Sequence, residues 1–252
     1  MMRQAVAGWF RWLYDATGIN LTIFYDPFDA ARFVGGVLTS LELSLVSLAG
    51  SVAVGLLGAW LQGSRRRAVR YGTHAFVAFF RNTPPLIQLY FFFFVIGELV
   101  PHMRRPGGGT EQIVSNFFWA VVALSFYFGS FNIEAFRAGI EAVPQTTVDA
   151  AAALGYTRLQ TYRHVVLPLA LRISLPALTN NLVGLVKGTS LAYAIAVPEM
   201  LYVSSQIWAD QLNVAEMMNV LMVFYLAAVG VVACAMKRLE HALRLPGDLR
   251  AA

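Results

Sequence analysis

A polar, helix-forming segment lies between two long apolar runs at residues 144–172 and reads PQTTVDAAAALGYTRLQTYRHVVLPLALR. Thr146 is followed three residues later by Asp149, which predicts a capping box, and the alanines after it have high helix propensity. Gly155 then supplies a residue that readily takes the left-handed conformation found at helix ends. The pattern predicts a helix that ends in a tight turn.

The second half of this segment predicts another helix. Thr157 followed by Gln160 is a second capping box, and Pro168 is expected to stop or kink the helix that begins there. Alanines on the first helix let another surface approach closely, while Arg158 and its basic neighbours offer charge complementarity. A helix–turn–helix of this kind suits docking into a groove of a partner.

Charged residues also interrupt the apolar runs, where each is costly within a bilayer unless it faces protein or water. These residues are Glu42, Arg81, Glu134 and Lys187. Lys187 could line a pathway or gate, or it could form a structural ion pair with another span. For Arg81, a structural or gating role is favoured over substrate contact. For Glu42, an ion pair with a neighbouring helix or subunit is favoured over a pathway role.

The composition of the chain indicates the class of protein that positions these residues. Hydrophobic residues make up 58% of the 252 residues and charged residues 13%, with a mean hydropathy of +0.59, which is too apolar for a soluble domain. The net charge of +5 comes from short basic clusters, which indicates membrane topology rather than nucleic acid binding. One cysteine cannot form a disulfide framework, and four scattered histidines predict no metal site.

The apolar runs predict about five transmembrane helices, since each crossing takes about 20 residues. The runs cover residues 33–62, 73–100, 113–133, 173–197 and 217–236. The fourth is weakened by Pro176, Gly184, Lys187 and Gly188. The second leads into a glycine-rich loop, PHMRRPGGGTEQ, which is predicted to lie outside. In a chain of 252 residues, these spans and short loops leave a separate catalytic domain unexpected.

The distribution of basic residues predicts the orientation. The basic clusters lie at residues 65–70, 137–172 and 237–249, and all are inside if the N-terminus is outside and the C-terminus inside. The chain is therefore predicted to be an all-α membrane protein with a cytoplasmic helix–turn–helix. The predicted divisions are an N-terminal interfacial segment at 1–32, a transmembrane domain at 33–238 and a cytoplasmic tail at 239–252.

The motif DAAAALG, with VVLP beginning ten residues after its glycine, resembles the "EAA" loop of binding-protein-dependent transport permeases. These are the membrane subunits of type I ABC importers, in which the loop forms coupling helices that sit in a cleft of the cytoplasmic ATPase. The resemblance implies coupling roles for Asp149, Ala150, Ala151, Leu154, Gly155, Arg158 and Pro168. Asp149 stands where the family usually has glutamate, so the charge is kept on a shorter side chain.

Other segments resemble the polar amino acid branch of that family. They are RNTPPLIQL at 81–89, FNIEAFRAGIEAVP at 131–144 and NNLVGLVKGTSLAYAIAVPEM at 180–200. Together with the charged residues, they give candidates for a substrate pathway or gate: Lys187, Thr189, Ser190, Glu42, Arg81, Thr83, Pro84 and Gln88. In this setting Lys187 could lie near an amino acid carboxylate. Pro84 and Pro85 either bend the second span where the pathway narrows or serve structure alone.

The resemblance implies a permease subunit of an ATP-driven importer of polar L-amino acids, with acidic or amide amino acids as the expected class, in the bacterial inner membrane. The expected partners are a cytoplasmic ABC ATPase dimer, a second permease that is identical or paralogous, an extracytoplasmic solute-binding protein and membrane lipid. The chain lacks G-x-x-x-x-G-K-[ST], so no cofactor and no enzymatic activity are expected of it, and ATP and Mg²⁺ are expected on the ATPase.

Two alternatives belong to other classes. A self-contained secondary transporter or channel would usually carry more spans or internal repeats than this chain does. An intramembrane enzyme would need convergent catalytic groups, and no nucleophile or metal-ligand motif occurs in the apolar runs.

Overall fold

The computed structural model of the chain describes residues 2–104 and 110–243. Its helices are α1 (Met2–Thr17), α2 (Pro27–Gln62), α3 (Arg67–Asn82), α4 (Pro85–Leu99), α5 (Asn116–Glu141), α6 (Gln145–Ala153), α7 (Arg158–Ile195), α8 (Met200–Gln211) and α9 (Val214–Ala242). A 3-10 turn at Thr22–Phe24 lies between α1 and α2. The predicted all-α class is confirmed.

A short β-hairpin occupies the ends of the loop predicted after α4. Its strands are β1 (His102–Arg104) and β2 (Thr110–Gln112), which pair antiparallel with His102 opposite Gln112. The glycines of this loop and the end of the predicted C-terminal tail lie outside the described residues. The hairpin is a small addition to an otherwise helical architecture.

Four helices in the described ranges, α2, α5, α7 and α9, are long and apolar enough to cross a membrane. Helix α4 is apolar but shorter, and at 1.5 Å per residue it is about 22 Å long. The prediction of about five transmembrane helices is confirmed, with the shortest of them in α4.

The second predicted span, residues 73–100, is wrong as a single helix. Helix α3 ends at Asn82, and Thr83 is extended with φ −112° and ψ 144°. The cause is local, because Pro84 disfavours the helical conformation in the residue before it and provides no N–H for a helical hydrogen bond. Helix α3 is amphipathic rather than apolar, so α4 is the helix that provides the second membrane crossing.

The predicted interruptions of the fourth span do not break α7. Its central part is a regular α-helix that contains Pro176 and continues to Gly188, and the last residues, Thr189–Ile195, tighten into a 3-10 helix. Neighbouring groups in a membrane protein can satisfy the backbone around an internal proline, which is why such residues are tolerated there.

The alternative that Pro168 stops the preceding helix is wrong, because helical residues continue through it. A π-helical turn at Tyr162–Val166 precedes it, in which the Leu167 N–H donates to the Tyr162 carbonyl. A proline ring would otherwise clash with the carbonyl one α-helical turn before it, and the wider π turn relieves this clash. The helix therefore runs without a break from the turn into the span.

The chain forms two compact units, and the first comprises Met1–Ser47, Leu86–Ala123 and Val186–Val229. Its apolar core includes Ile23, Val203, Ile207 and Met217. Polar groups add specific contacts, since the Ser40 hydroxyl accepts a hydrogen bond from the Met200 N–H at 2.8 Å. This bond joins α2 to the start of α8.

The second unit comprises Leu48–Pro85, Leu124–Leu185 and Gly230–Ala252, and it contains a buried hydrogen-bonded chain that we call the asparagine bridge. In this bridge, Asn181 Nδ2 donates to Asn132 Oδ1 at 3.0 Å, and Asn132 Nδ2 donates to Ser51 Oγ at 3.3 Å. Gly55 lies against Asn132, where a Cβ would be 2.6 Å from the Asn132 Cβ. Small residues and interhelical side-chain hydrogen bonds thus hold α2, α5 and α7 together.

Gly139 leaves no room for a side chain where α5 meets α7, because a Cβ there would lie 2.5 Å from the Ala170 carbonyl oxygen. Gly139→Ala is therefore expected to lower the free energy of unfolding by about 1–3 kcal/mol, the usual cost of overpacking. The matched control is Gly72→Ala in α3, where a Cβ meets nothing within 4 Å and helix propensity predicts a gain of up to about 1 kcal/mol. Thermal unfolding in detergent measures both, and equal stability of the two variants would contradict this packing.

Candidate functional site

The segment between α5 and α7 forms the predicted helix–turn–helix. Helix α6 ends in a Schellman motif, in which the Tyr156 N–H donates to the Ala151 carbonyl at 3.1 Å and the Gly155 N–H to the Ala152 carbonyl at 3.0 Å. Gly155 has φ +85°, a conformation strained for residues that carry a Cβ. The predicted role of Gly155 as a helix terminator is confirmed.

The second capping box, at the start of α7, is also confirmed. The Thr157 hydroxyl accepts from the Gln160 N–H at 3.4 Å, and the Gln160 side-chain oxygen accepts from the Thr157 N–H at 2.9 Å. The turn between the helices is therefore fixed by backbone hydrogen bonds on one side and by a reciprocal side-chain cap on the other.

The first predicted capping box is wrong. Pro144, with φ −61° and ψ 134°, takes the N-cap position, so α6 begins at Gln145 and Thr146 is already inside the helix. Asp149 instead accepts a hydrogen bond from the Gln145 side chain, 2.9 Å from Nε2 to Oδ1. The fixed φ of proline favours a helix start directly after it, which sequence spacing alone did not reveal.

Exposed apolar side chains surround this turn, and we call them the turn surface: Leu154, Tyr156, Leu159 and Tyr162. Leu154 is 79% exposed and Leu159 is 76% exposed, while the two tyrosines are about half exposed. An apolar group of this kind, bordered by polar residues, is typical of interaction sites. Among the predicted coupling residues, Ala151 is buried, and the others are exposed: Asp149, Ala150, Leu154, Gly155, Arg158 and Pro168.

The predicted pathway residues fall in both units. Arg81, Thr83 and Pro84 belong to the second unit, where Thr83 and Pro84 form the break between α3 and α4. The remaining residues belong to the first unit: Glu42, Gln88, Lys187, Thr189 and Ser190. Within it, Gln88 and Thr189 are buried, while Glu42 and Lys187 are exposed.

A buried carboxylate in the first unit, that of Glu199, accepts several hydrogen bonds. Glu199 accepts hydrogen bonds from the Leu201 and Tyr202 N–H groups, both at 2.9 Å, and from the Tyr225 hydroxyl at 3.2 Å. Burial raises the pKa of Glu199 to about 7, although the hydrogen bonds it accepts act to lower it. Sequence reasoning missed this residue, and the signal is an acidic residue directly before an apolar helix, where it caps the first turn.

The side chains of Glu42 and Lys187 make no hydrogen bond or ion pair within residues 2–104 and 110–243. Glu134 differs, because it accepts from Gln62 Nε2 at 3.1 Å and forms an ion pair with Arg137 at 2.7 Å. Glu134 therefore has partners within the second unit. The two unpaired charges require water or another protein at the membrane depth where they lie.

Arg81 lies on a different surface. Its guanidinium stacks over the Phe131 ring at 5.0 Å, and it borders a cleft of about 550 Å³ in the second unit. Phe131, Glu134 and residues of α3 line the rest of this cleft. The structure therefore gives Arg81 an aromatic partner and an open, polar neighbourhood.

Comparison with known proteins identifies the fold and its relatives. A solved structure described as "Crystal structure of an amino acid ABC transporter with histidines" aligns with a TM-score of 0.73 at 22% identity, over 84% of this chain and 94% of that one. The probable glutamine ABC transporter permease protein GlnM of Bacillus subtilis (strain 168) is 29% identical over 208 residues, which cover 82% of this chain and 90% of GlnM. The L-cystine transport system permease protein TcyB of the same organism is 30% identical over 179 residues, covering 71% and 72%.

The match to a family extends over most of the chain. Residues 51–244 match the family described as "Binding-protein-dependent transport system inner membrane component". This range contains the helix–turn–helix, the asparagine bridge and Lys187. The chain therefore belongs to this family of multi-pass membrane permeases, in the branch of the ABC transporters that takes up amino acids.

Proposed function

We propose that the chain is the permease of an ATP-driven importer of polar L-amino acids and that residues 144–168 transmit force from a separate ATPase. The observation that carries this proposal is the turn surface, where Leu154 and Leu159 are more than three quarters exposed on a turn held by caps. A protein that binds these side chains would bury apolar area without ordering the turn first.

The path of the force follows α7. This helix is continuous over 38 residues, roughly 57 Å at 1.5 Å per residue, and begins at the turn itself. A displacement at Arg158 is therefore carried along the helix rather than absorbed at Pro168. The asparagine bridge links α7 to α5 and α2, so these helices move together, as alternating access by rigid-body motion requires.

The partners follow from this mechanism. A cytoplasmic ABC ATPase dimer binds ATP and Mg²⁺ and contacts the turn surface, which places the N-terminus outside and the C-terminus inside. A second permease, identical or paralogous, encloses the other half of the pathway, and an extracytoplasmic solute-binding protein delivers the amino acid. The complex lies in the bacterial inner membrane, surrounded by lipid.

The substrate is proposed from the unpaired charges. Lys187 offers an ammonium group to the carboxylate of an amino acid, and Glu42 of the same unit offers a carboxylate to its α-ammonium group or to the second permease. Thr189 and Ser190 follow Lys187 after one glycine and add hydroxyl groups. Amide and acidic amino acids are the proposed class, and the glutamine named for GlnM supports the amide member.

Gly155 tests the coupling role. Gly155→Val places a β-branched residue at φ +85° and is expected to reduce ATP-driven uptake about tenfold or more, because the strain of about 1–3 kcal/mol distorts the turn. Gly155→Asn is the matched control, since asparagine tolerates this conformation. Uptake is measured in proteoliposomes that contain the complete transporter, with membrane insertion checked by yield. Wild-type uptake by the valine variant would count against coupling through this turn.

Lys187 tests the substrate pathway. Lys187→Gln is expected to raise the KM for uptake by about tenfold, since a lost hydrogen bond to a charged group costs about 1.5–3 kcal/mol. Lys237→Gln, an exposed lysine near the end of α9, should leave the KM unchanged. The comparison requires equal amounts of inserted protein. A Lys187 variant with normal KM and reduced stability would instead assign this lysine a structural ion pair.

A further inference from the structure

The cleft beside Arg81 has opposite charges on its two sides. It holds about 550 Å³ and is lined by His74, Arg81 and Asn82 of α3 and by Phe131 and Glu134 of α5. The Arg81 side chain interacts electrostatically with Glu134, but no ion pair joins them in the described part of the chain. Two complementary charges face one open space without neutralising each other by contact.

The negative side of the cleft retains a net charge. Glu134 and Glu141 share Arg137, at 2.7 Å and 2.6 Å, so two carboxylates and one guanidinium leave one negative charge. Glu134 Oε1 accepts a single hydrogen bond, from Gln62 at 3.1 Å. A carboxylate oxygen has two acceptor positions, so Oε1 keeps one for a donor in the cleft.

The positive side of the cleft is equally available. The Arg81 guanidinium is exposed and lies over the Phe131 ring at 5.0 Å, and this contact with the ring uses none of its N–H donors in an ion pair. Asn82 donates its amide N–H to the Ala78 carbonyl at 2.8 Å, which leaves the amide oxygen as an acceptor. His74 is exposed and provides a further ring nitrogen.

We propose that this cleft binds a free α-amino acid, with its carboxylate on Arg81 and its α-ammonium group facing Glu134. A zwitterion matches the two charges, whereas a simple anion would leave the Glu134 side unpaired and a simple cation would leave Arg81 unpaired. The identity of the amino acid as the transported solute rests on the proposed function. In the proposed orientation the cleft faces the cytoplasmic side, so it would hold amino acid that has already crossed.

The test measures binding stoichiometry on the full chain in nanodiscs of phosphatidylcholine, without ATPase or nucleotide. Radiolabelled L-glutamine is the probe, and the wild type is expected to bind one molecule more than Arg81→Gln or Glu134→Gln. Arg81→Lys keeps the charge and should recover part of the binding. Arg70→Gln is the matched control, since Arg70 is exposed on the same helix and does not line the cleft.

The outcomes separate this site from the rest of the mechanism. Equal stoichiometry and affinity in wild type, Arg81→Gln and Glu134→Gln would overturn the proposal, provided thermal unfolding shows that the variants are folded. Displacement of glutamine by added phosphatidylethanolamine would also overturn it, because the zwitterion would then be a lipid headgroup. Loss of one bound glutamine supports the site even if ATP-driven uptake is absent, since the binding measurement requires no transport.

Discussion

Backbone N–H and C=O groups within a bilayer must find hydrogen-bond partners inside the protein, and this requirement shapes the long apolar helices described above. Helix α7 meets it at two prolines in different ways. Ahead of Pro168 the helix widens into a π turn, and at Pro176 the α-helix continues. Before α4 the same requirement has the opposite result, because two consecutive prolines end α3 and a new helix begins. Continuity in α7 and interruption at Thr83 therefore have one physical origin.

The same low-dielectric setting determines which side chains are structural. Asn132, Asn181 and Ser51 satisfy each other, and an unsatisfied amide there would cost several kcal/mol in hydrocarbon. Their mutual bonds fix the register of three helices. Glu42 and Lys187 differ from these three residues, because their charges have no partner within the described residues. A paired polar group holds helices together, whereas an unpaired charge requires water or another protein.

Local sequence predicted the parts of the site that depend on neighbouring residues. Gly155 and the Thr157–Gln160 cap could be identified because a left-handed turn and a reciprocal cap involve residues only a few positions apart. Pro144 shows the limit, because it moved the start of α6 by two positions and removed the other cap. The Arg81 cleft and the Glu199 bonds join residues up to some 60 positions apart, and no local pattern encodes such contacts.

In the proposed mechanism, one chain receives force through a rigid helix and admits a solute beside unpaired charges. Helix α6 is only nine residues long, so it cannot transmit much by itself, but it ends in a fixed turn that opens directly into α7. Rigidity is thus concentrated in a helix that extends far beyond the turn. The last seven residues of α7 form a 3-10 helix, whose weaker hydrogen-bond geometry makes it easier to rearrange. Lys187 lies two residues before that segment, so the most deformable part of the long helix begins within one helical turn of the unpaired charge in the proposed pathway.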